Sequence, residues 1–414
     1  MTNRRVVITG LGCITALGET AESLFEAVCK SQSGISIIES FDTALYPVKF
    51  GGEVKQFVPG NYIDVHEANR MDRFTQMAFA SAVGAVKDSG IDFEQEDKSR
   101  VSVIVGTGIG GIKEIEEQHV RLLDKGPRRV SPFCVPKLMG NAASGCISIQ
   151  WGLRGTNFCV VTACASGSHA IGEAFYNILN DRSDVAITGG SEAALTPIGM
   201  ASFCALKSLS TRNDQPQKAS RPFDKDRDGF VLSEGAGILV LEEYEHAKKR
   251  GAKIYAELLG YGGTGDGHHI TAPLPDGSGG ADAMRLALRQ AKLNPDQIDY
   301  INAHGTSTQL NDAAESTAVK SVFGPHAYKL AISSTKSCVG HTLGASGAIE
   351  LVVCAKTLET GVIHPTANLE TVGEECDPKM DYVPGTARKA KVRYALSNSL
   401  GFGGHNCALI LGKI

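Results

Sequence analysis

Short β-branched and aliphatic runs alternate along this chain with stretches whose apolar residues recur at helical spacing, and that alternation narrows the fold more than any other feature. The runs fall at residues 5–10, 101–106, 160–163, 184–188, 237–241, 254–259, 300–302, 330–333 and 408–411, with helical patterns between many of them, as at 74–88, 112–123 and 281–290. Such an order specifies an α/β protein whose sheets are largely covered by helices. A polar helical stretch at 244–250 precedes a fresh strand, which places a division near Gly251 and gives two halves, 1–251 and 252–414. The halves echo one another. Cys164-Ala165-Ser166-Gly167 opens a small-residue helix in the first, and Gly344-Ala345-Ser346-Gly347 lies in another in the second.

Charge and cysteine usage weigh against several classes. Against 41 Lys and Arg stand 45 Asp and Glu, a net charge of −4, which argues against a general polyanion binder such as a nucleic-acid protein. No stretch approaches the roughly 18 apolar residues that span a bilayer. The apolar run after the basic start at 1–5 is too short for a signal peptide. The eleven cysteines show no paired spacing and no CxxC motif, which fits a reduced, cytoplasmic compartment.

Cys164 is the most informative single residue. Val160, Val161 and Thr162 give way there to Ala163, Ala165, Ser166 and Gly167, and then to Ala170, Ile171, Ala174, Phe175, Ile178 and Leu179 at helical spacing. The thiol therefore sits at a strand-to-helix junction, after a strand of a kind that can be buried on both faces. Free N–H groups and the positive end of a helix favour a thiolate over a thiol and offer donors to an oxyanion, which is a nucleophile's setting. The same placement also suits a small buried hydrophobe.

Three other segments resemble known motifs. Residues 106–111 satisfy GxGxxG between a strand and a helix, but no acid ends a second strand some 20 residues on to hold a ribose, so a tight turn packed against an active site fits better. Asp224 to Gly229 match the first six positions of an EF-hand loop, yet Gly235 stands where the bidentate glutamate belongs. A charged turn held by internal ion pairs is the better reading. His268-His269 has no third ligand cluster nearby in sequence, so it makes a weak zinc site.

The second half carries two histidines in similar settings. His304 follows the strand at 300–302 in a turn of small hydroxyl residues, and His341 comes after the one at 330–333, five residues beyond Lys336. Each borders a glycine, and a glycine-rich loop with Phe402 as its bulky residue closes the chain at 401–404.

Together these segments resemble the elongating β-ketoacyl-acyl-carrier-protein synthases, condensing enzymes of fatty acid synthesis in the thiolase superfamily, nearest their synthase II branch. The likeness runs from 6–12 to 401–404 and takes in 71–75, 125–132, 220–224 and 234–237. It implies the thiolase fold, two similar halves in five layers, αβαβα, assembled as a homodimer or with a close homologue. It implies that Cys164 accepts an acyl chain from acyl carrier protein, with its own N–H and that of Phe402 as the oxyanion hole. His304 and His341, as neutral donors, would stabilise the enolate left when malonyl-carrier protein loses carbon dioxide. Lys336 would order the histidine region with Glu350 as its ion-pair partner, and Thr306 and Thr308 would bind the phosphopantetheine arm. Ile109, Phe203 and Phe402 would line or gate the acyl pocket. No metal, nucleotide or flavin is needed, since the substrates ride on the phosphopantetheine of acyl carrier protein. A basic patch drawn from Arg70, Arg73, Lys125, Arg128, Arg129 and Lys207 would dock that acidic partner.

Two histidines distinguish this pattern within the superfamily, where priming synthases resemble Cys-His-Asn and thiolases Cys-His-Cys. The sequence also departs from the synthase II pattern. Cys134 stands where a second phenylalanine usually follows Phe133, which either enlarges the acyl pocket or is absorbed by repacking. Residues 309–315 and Cys338-Val339 lean towards polyketide ketosynthases. A second reading is therefore the catalytic subunit of a type II polyketide or polyene synthase, paired with a non-catalytic chain-length homologue. A third is a non-catalytic scaffold, separated from the others by loss of acylation at Cys164.

Overall fold

The structure, a computed structural model, describes residues 4–414, so residues 1–3 of the basic start lie outside it. The strands of its large sheet are β1 (Val6–Ile14), β2 (Val101–Gly106), β3 (Asn157–Val160), β4 (Val185–Glu192), β5 (Gly235–Glu243), β6 (Ala256–Gly265), β7 (Tyr300–Asn302), β8 (Ala331–Ser333), β9 (Tyr394–Gly401) and β10 (His405–Gly412). They lie in the order β8-β7-β9-β10-β6-β1-β5-β4-β2-β3. The first five strands are thus arranged as 3-2-4-5-1 and the last five repeat that arrangement. Among the described residues the two sets of strands pair through a short antiparallel stretch, Val6–Ile8 with Ala256–Leu258.

Helices cover both faces, as continuous apolar strands require. The helix α1 (Arg73–Ser89) packs on β1 and β5, and α3 (Ala142–Trp151), after the exposed α2 (Ile112–Lys125), packs on β2. Between the two sets of strands lie α4 (Ser166–Leu179) and α7 (Ser346–Thr360), while α5 (Ser278–Ala291) covers β6 and β10 beside α6 (Gln309–Phe323). This gives the five layers αβαβα of the thiolase fold. The middle helices bury most of their side chains because both their sides meet sheet: Ile171, Ala174, Phe175 and Ile178 of α4 and Leu351, Val352 and Leu358 of α7 are at most 2% exposed. Among the described residues no helix is long and apolar enough to cross a membrane.

Two sequence expectations shift. The strand read at 160–163 is β3 at 157–160, and it forms the sheet's edge, so it is half-buried, with Val161 just beyond it 60% exposed. The strand β9 has no counterpart in the sequence reading, because Ser397, Asn398 and Ser399 interrupt its apolar run. All three are buried, as tertiary covering rather than pattern dictates.

Candidate active site

The chain leaves β3 at Val160 and turns through Ala163, whose φ of +50° is in the left-handed region, into a 3-10 turn, Ala163–Ala165, that feeds α4 at Ser166. Such a conformation costs a non-glycine residue about 1–3 kcal/mol and persists only where the surroundings enforce it. Here Ser166 Oγ donates to Ala163 O (2.7 Å) and accepts from Thr162 N–H (2.9 Å), and a Cβ on Gly106 would stand 2.3 Å from Ser166 O, so the turn is clamped against β2. The second half builds the same device: Leu343 has φ +46°, Leu343–Ala345 is a 3-10 turn, and α7 begins at Ser346. Gly344 there occupies the position that Cys164 holds in the first half.

Cys164 is 6% exposed, and the N–H groups of Phe402 and of Cys164 itself are directed at its sulfur. These are the two donors expected of an oxyanion hole. A Cβ on Gly401 would lie 3.2 Å from Cys164 N, so the Phe402 loop reaches this close only because position 401 lacks a side chain. The expectation of a resting thiolate is corrected. Burial pushes the Cys164 thiol up to about 11, outweighing the opposing pull of Lys336 and the Phe402 N–H.

His304 and His341 are 1% and 3% exposed and meet edge to face with ring centroids 5.4 Å apart. Lys336 Nζ lies 3.2 Å from His304 Nδ1, donates to His304 O (2.6 Å), and forms a buried ion pair with Glu350. An ammonium can only donate, so Nδ1 of His304 accepts and its proton sits on Nε2. Leu343 N–H donates to His341 Nδ1 at 3.2 Å, which fixes the same tautomer there. Burial first, and the nearby Lys336 charge second, hold both imidazoles well below the ordinary histidine range. They are neutral rings, each with one Nε2–H free to donate. Glu350, 2% exposed, is pushed up to about 7 by burial against the pull of Lys336. It acts behind the histidines and does not line the cavity.

These groups converge on one cavity of about 590 Å³, lined by Cys164, His304, His341, Phe402, Thr306, Thr308, Ile109 and Phe203 among others. The Thr306 and Thr308 hydroxyls are 2.9 Å apart on its wall. Lys207 lines it too and is exposed. Cys134, by contrast, is no part of the cavity lining and starts a short half-buried helix, Cys134–Leu138. Of the proposed docking cations, Arg70, Lys125, Arg128 and Arg129 are exposed, Arg70 being paired with Glu67. Arg73 is corrected: its guanidinium grips buried Glu234 through two bonds (2.6 and 2.8 Å) and donates to Val54 O, which makes it a structural cation.

The motif-like segments resolve as turns. Gly108 and Ile109 of the GxGxxG run form cavity wall. Asp224 is held by Arg221 Nε (2.9 Å) and by the N–H groups of Asp226, Glu370 and Thr371, and Arg227 by Glu375 and two carbonyls of 308–309. Among the described residues no cluster of three or more His, Cys, Asp or Glu is arranged to hold a metal ion.

Two buried carboxylates were not singled out by the sequence reading. Glu315 accepts from the N–H groups of His304 and Gly305 (2.8 Å each) and so shapes the first histidine turn. Glu192 accepts from Gly108 N–H at 2.6 Å and Gly344 N–H at 3.1 Å, bridging the two halves. Glu192 did leave a signal: it is the lone charge in the otherwise uncharged run 185–195.

Comparison with known proteins agrees with this geometry. The β-ketoacyl synthase N-terminal domain matches residues 3–247 and the C-terminal domain residues 255–370. The chain is 49% identical over 410 residues, 99% of its length and 98% of the relative's, to 3-oxoacyl-[acyl-carrier-protein] synthase 2 of Synechocystis sp.. To the protein of that name in Staphylococcus aureus it is 48% identical over 411 residues, 99% of each. Among solved structures, the ishigamide ketosynthase/chain length factor superposes with a TM-score of 0.93 at 35% identity over 99% of both chains. A β-ketoacyl synthase from Burkholderia phymatum gives 0.92 at 38% identity, covering 99% of this chain and 100% of that one. A cysteine-bearing turn, two neutral imidazoles and full-length likeness of this order leave one assignment: the chain belongs to the β-ketoacyl synthase family.

Proposed function

We propose that this chain is an elongating 3-oxoacyl-acyl-carrier-protein synthase, an acyltransferase that lengthens a fatty acyl chain by two carbons through decarboxylative condensation. The observation that carries the reading is the meeting of Cys164, two backbone donors and two Nε2–H donors on a single cavity. Cys164 sulfur attacks the carbonyl of an acyl-carrier thioester, the oxyanion rests on the N–H groups of Cys164 and Phe402, and the phosphopantetheine thiol leaves with the thiol proton. Malonyl-carrier protein then enters, and its thioester oxygen lies against His304 and His341. Loss of carbon dioxide leaves an enolate held by two neutral donors. The enolate carbon attacks the Cys164 thioester, and the cysteine sulfur leaves and regains a proton. Neutral imidazoles suit this step, because a donor that stays neutral stabilises developing negative charge without itself titrating.

The reading needs no metal or cofactor. Thr306 and Thr308 hold the pantetheine arm, Ile109, Phe203 and Phe402 bound the acyl chain, and exposed Arg70, Lys125, Arg128, Arg129 and Lys207 attract an acidic carrier. Assembly as a dimer, with itself or a homologue, is supported by the unpaired edge of β3 and by exposed Val135, Ile149 and Val161 (61, 81 and 60%) around it. Cys134 on that face would reach an acyl pocket only through such a dimer. The repeated strand order supports two halves, 1–251 and 252–414, and eleven free cysteines fit a cytoplasmic setting.

The 49% identity to synthases of the fatty acid type, against 35% to a ketosynthase/chain length factor, favours the fatty acid reading over the polyketide one. Incubation with acyl-carrier protein, followed by intact-protein mass spectrometry, is expected to show an acyl adduct that Cys164→Ala abolishes. Subsequent elongation with malonyl-carrier protein by the chain alone is expected; elongation only in the presence of a chain-length homologue would transfer the assignment to polyketide synthesis, and no adduct at all would refute it.

A further inference from the structure

Glu192 ends β4 at 0% exposure, and four donors converge on its carboxylate. Oε1 accepts from Thr107 Oγ1 at 2.9 Å and Ile109 N–H at 3.2 Å, and Oε2 from Gly108 N–H at 2.6 Å and Gly344 N–H at 3.1 Å. Glu192 does not line the cavity, but Gly108, Ile109 and Leu343, the residues it fastens directly or through a neighbour, all do. The two backbones it joins touch there: a Cβ on Gly344 would stand 2.3 Å from Gly108 N. We propose that Glu192 is the positioning residue that fixes the Ile109 wall of the acyl cavity against the second half of the molecule, and so sets the length of chain accepted on Cys164.

The proposal rests on the synthase reading only for the identity of the chain. The geometry of the four bonds makes it testable by a near-isosteric change. In Glu192→Gln the amide NH2 cannot face Gly108 and Gly344, whose N–H groups can only donate. It must turn to the other side, where the Thr107 hydroxyl accepts as well as donates and already receives Gly110 N–H at 3.1 Å. Gly108 and Gly344 therefore keep their acceptor, while Ile109 N–H and the Thr107 hydroxyl proton lose theirs. The histidine pair is untouched, because Gly344 keeps its acceptor and so the neighbouring Leu343 N–H, like Lys336, still fixes its imidazole's tautomer.

Wild type, Glu192→Gln, Ile109→Ala and the double variant are treated with N-alkyl iodoacetamides of increasing chain length, and separately with acyl-carrier proteins of increasing acyl length. Modification of Cys164 is followed by intact-protein mass spectrometry. With Glu192→Gln the ratio of long-chain to short-chain rate is expected to rise about tenfold, equivalent to about 1.4 kcal/mol. Removing the Glu192 charge, which raises the Cys164 thiol, should speed every reagent by a common factor that the ratio cancels, and malonyl decarboxylation by Glu192→Gln should proceed as in wild type. Ile109→Ala should raise the same long-to-short ratio, and the double variant should add nothing to it. Glu192→Asp, which keeps the charge but withdraws the carboxylate by one methylene, should act in the same direction. An unchanged ratio, or an equal loss at every length together with lost decarboxylation, overturns the proposal. A response with the iodoacetamides but no acyl transfer from any carrier protein would sink the synthase reading and leave the assignment of the wall standing.

Discussion

Replacing Glu350 by alanine strips its carboxylate partner from a buried ammonium, Lys336. Lys336 and Glu350 are each 2% exposed, and Lys336 would keep just His304 O and His304 Nδ1 as acceptors. Removing one partner of such a pair leaves an uncompensated buried charge and costs about 3–5 kcal/mol, whereas replacing both partners by apolar groups of similar volume is often neutral. The two surviving acceptors place Glu350→Ala at the lower end, about 3 kcal/mol. The double variant Lys336→Met/Glu350→Leu should therefore recover most of that loss, to within about 1.5 kcal/mol of wild type. It should nevertheless fail at malonyl decarboxylation, because His304 Nδ1 loses the donor that keeps its proton on Nε2. Urea unfolding at fixed protein concentration reads the first quantity and carbon dioxide release from malonyl-carrier protein the second. A Glu350→Ala cost below about 1 kcal/mol, or a double variant no more stable than the single one, would refute the buried-charge argument. Full decarboxylation in the double variant would refute the tautomer argument.

Alkylation of Cys164 by iodoacetamide should accelerate about tenfold per pH unit between pH 7 and 10, because a thiol raised to about 11 exposes ever more thiolate as pH rises towards that value; a plateau already reached at pH 7 would show that the helix end, not burial, governs the sulfur. His304→Ala and His341→Ala should each lower malonyl decarboxylation by about 10²–10³ while leaving acylation of Cys164 in place, as loss of one oxyanion donor does elsewhere; equal loss of both half-reactions in mass spectrometry would contradict separate roles. Charge reversal at Arg128 and Arg129 should raise the apparent KM for carrier-bound substrates and steepen nothing in kcat, and unchanged kinetics at low salt would remove them from docking.

Much of this site was legible because its parts sit at the ends of strands, where pattern changes abruptly. Cys164 and His304 each closely follow a short strand and precede small residues, and His341 follows one beyond a four-residue helix, a local signal that survives without knowledge of neighbours. The echo of Cys164-Ala165-Ser166-Gly167 in Gly344-Ala345-Ser346-Gly347 proves to be two copies of one clamped turn, each preceded by a residue at positive φ. The missed strand β9 failed the pattern test because burial there is imposed by covering helices on both sides, so serine and asparagine could be interior. Arg73 looked like one more surface cation because a sequence shows charge but not the distant Glu234 that neutralises it. Cys134 was placed beside the acyl chain by resemblance, yet it is no part of the cavity lining and starts a short half-buried helix.

The sequence by itself determined the alternation of strand and helix and singled out Cys164, the two histidines and the lysine, since each depends on residue type and short-range order. The tertiary structure decided what those groups are chemically. Burial makes Cys164 a thiol at rest, while Lys336 and Leu343 N–H place the imidazole protons on Nε2. Glu192, 84 residues from Gly108 and 152 from Gly344, fixes the wall between the two halves, and Glu315, 10 residues beyond Gly305, shapes the first histidine turn. Protonation state and position are set by what surrounds a group in space, and a chain folded into five layers brings together residues that no window of sequence contains.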